Sequence, residues 1–320
     1  MALDSGGSPE ELVRAANDIA GRIVGLIQAG WRVLIVHGNG PQVGVELLRN
    51  EEASNKVPPF GLDLCVGSTQ GSIATLLETA LRNALREDNM SHVRVASLVS
   101  LVEVASDDPA LDLPSKPIGP FYSRYRAQQI LKELQGKGWD LVEDSGRGWR
   151  TVVPSPRPQR VVSAEAVECL ISNGFIVIAG GGGGVPVIKA ESSGHLTGTE
   201  AVIDKDRTAA LLAEELRADL LIFLTAVPWV ELNFGTPFAR RIETMSTQEA
   251  RKYLQEGQFP AGSMGPKIEA ACDFADRGRM ALITSAETLT GALHGRAGTR
   301  ISNRAGASRS LTGQLPLKLE

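Results

Sequence analysis

Val33-Leu34-Ile35-Val36-His37-Gly38-Asn39-Gly40-Pro41 decides the fold. Four apolar residues make a short strand that runs straight into a glycine loop. Immediately before it lies a helix with a clear start. Ser8 can cap it, Pro9 occupies the first helical position and Glu11 completes a capping box. Leu12, Val13, Ala16, Ile19, Ala20, Ile23, Val24 and Ile27 recur at helical spacing, and Gly30 ends the run. Helix, tight turn, strand and glycine loop is the order of a βαβ fold.

The same order repeats along the chain. Residues 68–86 read as a helix and Val93 to Leu101 as a strand. A helix at 164–173 leads to the strand Phe175-Ile176-Val177-Ile178 and the run Gly180 to Gly184. A helix at 204–217 leads to the strand Leu220 to Leu224. Between about 110 and 160 the pattern gives way to Pro, Gly, Arg and Trp, bounded by Lys116-Pro117-Ile118-Gly119-Pro120 and Val153-Pro154-Ser155-Pro156-Arg157-Pro158. This stretch reads as an excursion from the main sheet, a small flap whose deletion is expected to leave a folded core. From about Ser302 the composition turns to Ser, Gly and Arg, as expected of a disordered tail. No repeat at a fixed period is present.

The chain has 320 residues, enough for two domains or one large α/β unit. It is 42% hydrophobic, which excludes compositional disorder. A net charge of −4 gives no general attraction to nucleic acid or to an anionic membrane. With 34 Gly, 17 Pro and only 5% aromatics, a loop-rich α/β enzyme is favoured over an all-β binding module. Asp4, Glu10, Glu11 and Asp18 interrupt the first twenty residues, so no secretory signal is read there. The longest apolar run, around Leu220 to Val230, is too short to span a bilayer. Cys65, Cys169 and Cys272 are odd in number and far apart, which fits a reducing cytosol and excludes a CxxC metal site.

Two glycine loops follow strands: Gly38-Asn39-Gly40 and Gly181 to Gly184. Only a residue without Cβ lets backbone approach a phosphate closely and aim its N–H groups at it. One such loop is as easily a tight strand-to-helix connection, whereas five consecutive glycines are harder to explain as a turn. Neither loop is a P-loop or a GxGxxG fingerprint, which argues against a Walker-type ATPase and an ordinary Rossmann dehydrogenase. Asp204-Lys205-Asp206 stands before an apolar helix; taken alone, one Asp caps that helix and Lys205 is its solvated partner. In the functional reading Lys205 faces a transferring phosphoryl group, where positioned cations supply most of the catalysis. Lys267, in Gly262-Ser263-Met264-Gly265-Pro266-Lys267, sits at a helix start against the dipole and hints at an anionic ligand. The four histidines have no metal spacing and read as structural or surface residues, and no GxSxG or Cys-His arrangement argues for a hydrolase.

Together these segments resemble carbamate kinase, a branch of the amino-acid kinase family. The matching stretches are 37–44 (His-Gly-Asn-Gly-Pro-Gln-Val-Gly), 116–122 (Lys-Pro-Ile-Gly-Pro-Phe-Tyr), 150–156, 181–187, 200–206 and 262–267, in the family's order across about residues 10–301. The resemblance implies an open, mostly parallel αβα sandwich. Residues 1–190 would hold carbamate or carbamoyl phosphate, with a protruding subdomain at about 112–158. Residues 191–301 would hold ATP or ADP with Mg²⁺, and 302–320 would be the tail. It further implies that Lys116, Lys205 and Lys267 face the phosphoryl group and that Asp206 organises them. Gly38, Asn39 and Gly40 with Gly181, Gly182 and Gly183 would receive the carbamoyl end. Thr225, Ala226, Val227, Met264 and Gly265 would lie along the nucleotide, and no side chain is read as a metal ligand. A cytoplasmic homodimer of arginine catabolism, with no nucleic-acid or membrane partner, is the implied setting.

Carbamate kinases open on a buried strand and a Gly-Gly-Asn loop that cradles the transferred phosphate. Here Ser5-Gly6-Gly7 stands too close to the capped helix start to replace them. The 320 residues are therefore expected to leave strand edges near Val33 to Val36 open, to be less stable and slower than a full-length relative, and still to bind ADP. Relatives often carry Asp at the position of Ala226, which makes the adenine and ribose contacts less secure than the lysines. The function implied is reversible phosphoryl transfer between ATP and carbamate. The competing readings are a catalytically impaired nucleotide-binding relative and another acid kinase, such as one for acetylglutamate. The Lys116 and Pro154 segments argue against the latter.

Overall fold

A computed structural model describes residues 8–144, 147–260 and 262–303. Helix α1 (Pro9–Gln28) starts as its sequence requires: the Ser8 hydroxyl accepts from the Glu11 N–H, and the Glu11 carboxylate accepts from the Ser8 N–H. Its Ala16, Ala20, Ile23 and Val24 are buried against α3 and the strands beneath. Then come β1 (Leu34–Ile35), α2 (Gly40–Ala53), α3 (Leu62–Glu87), β2 (Arg94–Ser97) and β3 (Leu101–Val104). The flap comprises β4 (Lys116–Tyr122), α4 (Arg124–Gly136), β5 (Asp140–Glu143) and β6 (Trp149–Val153). The main body resumes with β7 (Pro158–Val161), α5 (Ala164–Ser172), β8 (Phe175–Ile178), β9 (Val185–Lys189), β10 (Leu196–Gly198) and α6 (Lys205–Glu215). It continues through β11 (Leu220–Thr225), the hairpin β12 (Val230–Leu232) and β13 (Arg240–Ile242), β14 (Thr244–Ser246) and α7 (Thr247–Gln255). It closes with α8 (Met264–Ala275), β15 (Met280–Ser285), α9 (Leu289–Leu293) and β16 (Thr299–Ser302).

The sheet is mostly parallel and open, but hydrogen bonds divide it into three parts: β1-β8-β2, β10-β9-β3-β7 and β11-β15-β16-β14. The strand expected over Val93 to Leu101 is in fact β2 and β3, interrupted at Leu98 to Ser100. Its parallel partner breaks at the same level, between β8 and β9, where the glycine run sits. Ser100 stitches the break: its hydroxyl accepts from the Gly180 N–H and its carbonyl from the Val185 N–H. The Gln70 side chain in turn holds both the Ser100 N–H and carbonyl.

Helix α3 begins six residues before the expected start, because its first N–H, on Leu62, is satisfied by the distant Glu200 carboxylate. Ser302 is the last residue of β16 rather than the first of a tail, and residues 304–320 lie outside the described residues. The first strand is shorter than expected, and among the described residues β1 is hydrogen-bonded to β8 alone and β11 to β15 alone. No helix among the described residues is long and apolar enough to cross a membrane.

The flap's own antiparallel sheet, β4-β6-β5, does not form a separate core. Ile118, Ala127, Leu134, Trp139, Leu141 and Val153 share one buried cluster with Val43 and Leu47 of α2 and Leu62, Cys65 and Val66 of α3.

Candidate active site

The carboxyl ends of parallel strands are where an open α/β sheet leaves room for ligands. The β1 end runs into Gly38-Asn39-Gly40, the β8 end into the glycine run, and the β11 end into Thr225-Ala226-Val227. The first two loops interlock. A side chain at Gly181 would strike the His37 ring at 2.1 Å, and one at Gly182 would strike the Asn39 amide at 2.2 Å. The Gly182 N–H donates to the His37 carbonyl, and the buried Asn39 amide donates to the Thr69 hydroxyl.

The run of glycines is thus demanded by packing. Gly183 lies against the Ile203 carbonyl and Gly184 against Val102, and four of the five take positive φ. Two of the three expected substrate donors in this run, the Gly182 and Gly183 N–H groups, are engaged by the protein's own carbonyls. The Thr208 hydroxyl donates to the Gly183 carbonyl, fastening α6 to the same turn.

Asp204 caps α6, its carboxylate accepting from the Asp206 and Arg207 N–H groups. That agrees with the simple capping reading, yet its other oxygen accepts from Lys116, the first residue of β4. Lys205 donates to one oxygen of Asp206 at 2.6 Å, and Lys267, in the first turn of α8, donates to the other at 3.1 Å. The Lys205 stem packs on Gly38, where a Cβ would meet its methylenes at 3.0 Å. Lys116, Lys205, Asp206 and Lys267 therefore meet beside the first glycine loop. Thr225, Ala226 and Val227 lie at the β11 end, with Ala226 exposed, while Met264 and Gly265 open α8 on the Lys267 side. The charged cluster's hydrogen bonds do not extend to these five.

Three ammonium groups face two carboxylates, so the cluster holds one cation too many. Burial would raise the Asp204 carboxyl, but Lys116, with Lys205 and the Asp206 N–H, holds it well below the usual carboxylate range. Burial and the neighbouring Lys205 charge push the Lys267 ammonium down, against the pull of Asp206. Lys205 moves the other way, the Asp206 carboxylate outweighing burial. Strongly perturbed titrating groups gathered in this way mark a candidate functional site. Burial also lowers His37, which packs on the glycine turn as a neutral ring.

Sequence reasoning left out Asp204 as the partner of Lys116, and Thr69, Ser100 and Thr208 as the groups that hold the glycine loops. No local pattern in the sequence marks them, because their partners lie elsewhere in the chain.

The sequence profile of the amino acid kinase family matches residues 2–285. Carbamate kinase of Staphylococcus haemolyticus is 45% identical over 300 residues, spanning 92% of this chain and 95% of that one. Carbamate kinase of Pyrococcus horikoshii is 42% identical over 299 residues, spanning 92% and 93%. The chain belongs to the amino acid kinase family, in its carbamate kinase branch. The structure of a carbamate kinase from Giardia lamblia bound to AMP-PNP superposes with a TM-score of 0.84 at 36% identity, covering 94% of each chain. Catalysis of phosphoryl transfer is mostly placement of charge.

Proposed function

We propose that the chain catalyses reversible phosphoryl transfer between ATP and carbamate, running in cells mainly from carbamoyl phosphate and ADP toward ATP. The observation that carries this is the convergence of Lys116, Lys205 and Lys267 on Asp204 and Asp206 beside Gly38. A terminal oxygen of ADP attacks the phosphorus, the bond from phosphorus to the carbamoyl oxygen breaks, and carbamate leaves with that electron pair. The three ammonium groups offset the charge spread over the moving phosphoryl, while the two carboxylates hold them in place.

The carbamoyl end would lie at Gly38, Asn39 and Gly40, where α2 presents its N-terminus. The nucleotide would extend past Met264 and Gly265 toward Thr225, Ala226 and Val227. Residues 1–190 and 191–301 would act as the two lobes, with the flap over the substrate. Among the described residues no group of three acidic, histidine or cysteine side chains suits a metal ion, and both oxygens of Asp204 and of Asp206 already accept hydrogen bonds. Mg²⁺ fits here as a companion of the nucleotide phosphates, where it neutralises their charge. A cytoplasmic homodimer serving arginine catabolism is the setting this reading implies.

Coupled detection of ATP formed from carbamoyl phosphate and ADP tests the proposal. Turnover that falls by roughly 10²–10³ in Lys205→Ala is the expected result. Binding of Mg·ADP with no turnover by the unaltered chain would favour a catalytically impaired relative.

A further inference from the structure

Two matching motifs carry glycines that the chemistry above does not use, Gly44 and Gly119. In the fold they touch. A Cβ on Gly44 would stand 2.2 Å from the Gly119 Cα and 2.3 Å from its nitrogen, with the Ile118 carbonyl carbon at 3.1 Å. Backbone atoms cannot swing aside as a side-chain tip can, and carbon contacts settle near ~3.5–4.0 Å. The reverse relation is mild. A Cβ on Gly119 would meet Gly44 no closer than 3.4 Å, and what favours glycine at 119 is its φ of +72°, a region that Asn also enters. Both are buried, flanked by Val43 and Ile118 in one apolar cluster. The Gly119 carbonyl is held by Arg150, which also pairs with Asp144.

We propose that Gly44 is a positioning residue: its bare backbone seats β4 against α2 and so sets where Lys116 meets Asp204. This rests on the phosphoryl-transfer reading of Lys116. Helix α2 starts at the glycine loop, where Asn39 is locked to Thr69 and Gly182, and runs from Gly40 beside Pro117 to Gly44 beside Gly119. It thereby gauges the distance between the substrate loop and the flap lysine. A methyl at Gly44 lifts β4 by roughly 1 Å, a misplacement of the size that costs about 10²-fold in rate. The nucleotide side, with Lys267 and α8, is untouched.

The test is a double-mutant cycle on the full chain, using Gly44→Ala and Lys116→Ala, with ATP formation and thermal unfolding both measured. Gly44→Ala is expected to lower kcat about 100-fold with KM for Mg·ADP held within about twofold, and to cost less than about threefold more when Lys116 is already Ala. Gly119→Asn, tolerated at positive φ, is expected to keep kcat within about threefold. Equal losses in both backgrounds, near-normal turnover of Gly44→Ala, its failure to fold, or a Gly119→Asn loss as large as its own would each overturn the seat. Near-normal turnover of Lys116→Ala would instead remove the reading on which it rests.

Discussion

Asp204 and Lys116 stand 88 residues apart in the chain, on the main body and the flap, and their charged ends meet. Asp204 does two jobs with two oxygens, capping α6 with one and holding Lys116 with the other. The charge can be removed without the cap. Asp204→Asn keeps a good cap but drops the charge, whereas Asp204→Ala loses both. Lys116 keeps 24% of its side-chain surface in solvent, so leaving it unpaired is expected to cost about 1–3 kcal/mol, less than a fully buried ion. Urea unfolding would find Asp204→Ala lower still, by about 1 kcal/mol for the cap.

The same pair has a pH signature. The Asp204 carboxyl is lowered in the folded chain, so its stabilisation is present above the unfolded value of about 3.9 and is lost as pH falls through the folded one. The stability difference between the unaltered chain and Asp204→Asn should therefore be full at pH 7 and shrink below about pH 4. A difference that stayed constant to pH 2 would mean that the carboxylate gains nothing from Lys116.

Lys205 donates to Asp206 while its stem lies on Gly38, and on the phosphoryl-transfer proposal its charge acts on the moving phosphoryl. Lys205→Ala should lower kcat by roughly 10²–10³, as for loss of one preorganised charge, with little change in Tm. Rapid turnover by this variant would return Lys205 to the role of a plain ion-pair partner.

Lys267 carries a prediction about protons. Burial and the Lys205 charge lower its ammonium in the unliganded chain, and an arriving anion raises it again. At alkaline pH, between those two values, binding of ADP should be accompanied by proton uptake. Titration calorimetry in buffers of different ionisation enthalpy reads this directly. Uptake should fall in Lys267→Met, and identical heats in all buffers would contradict it.

Local chemistry made some of this legible. Ser8, Pro9 and Glu11 lie within four residues, so the start of α1 could be read from the chain alone. What depends on distant partners could not. The α3 start is set by Glu200, 138 residues away, and the break between β2 and β3 answers glycines some 80 residues on. The composition of the glycine run suggests a phosphate cradle to a reader of the sequence, and packing alone already accounts for it. His37, Asn39, Ile203 and Val102 occupy the space a side chain would need. From the chain alone Asp204 reads as an ordinary cap, because Lys116 reaches it only through the fold.

The flap offers the clearest case where the structure revises the sequence reading. A self-contained excursion could be cut at 118–148 and leave a folded core. Here Ile118, Ala127, Leu134, Trp139 and Leu141 complete the cluster that covers α2 and α3. Cutting them away would bare Val43, Leu47, Leu62, Cys65 and Val66, all buried in the intact chain. Ile118, 1% exposed, reports the coupling without a deletion. Ile118→Ala should destabilise the whole chain by about 2–5 kcal/mol, the cost of a large aliphatic removed from a packed core. The loss should appear in one unfolding transition, followed by hydrogen exchange at α2 and α3 as well as in the flap. Deletion of 118–148 should then give a chain that exposes apolar surface and associates. A monomeric, cooperatively folded deletion variant that still binds Mg·ADP would show that the shared cluster is dispensable and that the flap is an appendage after all.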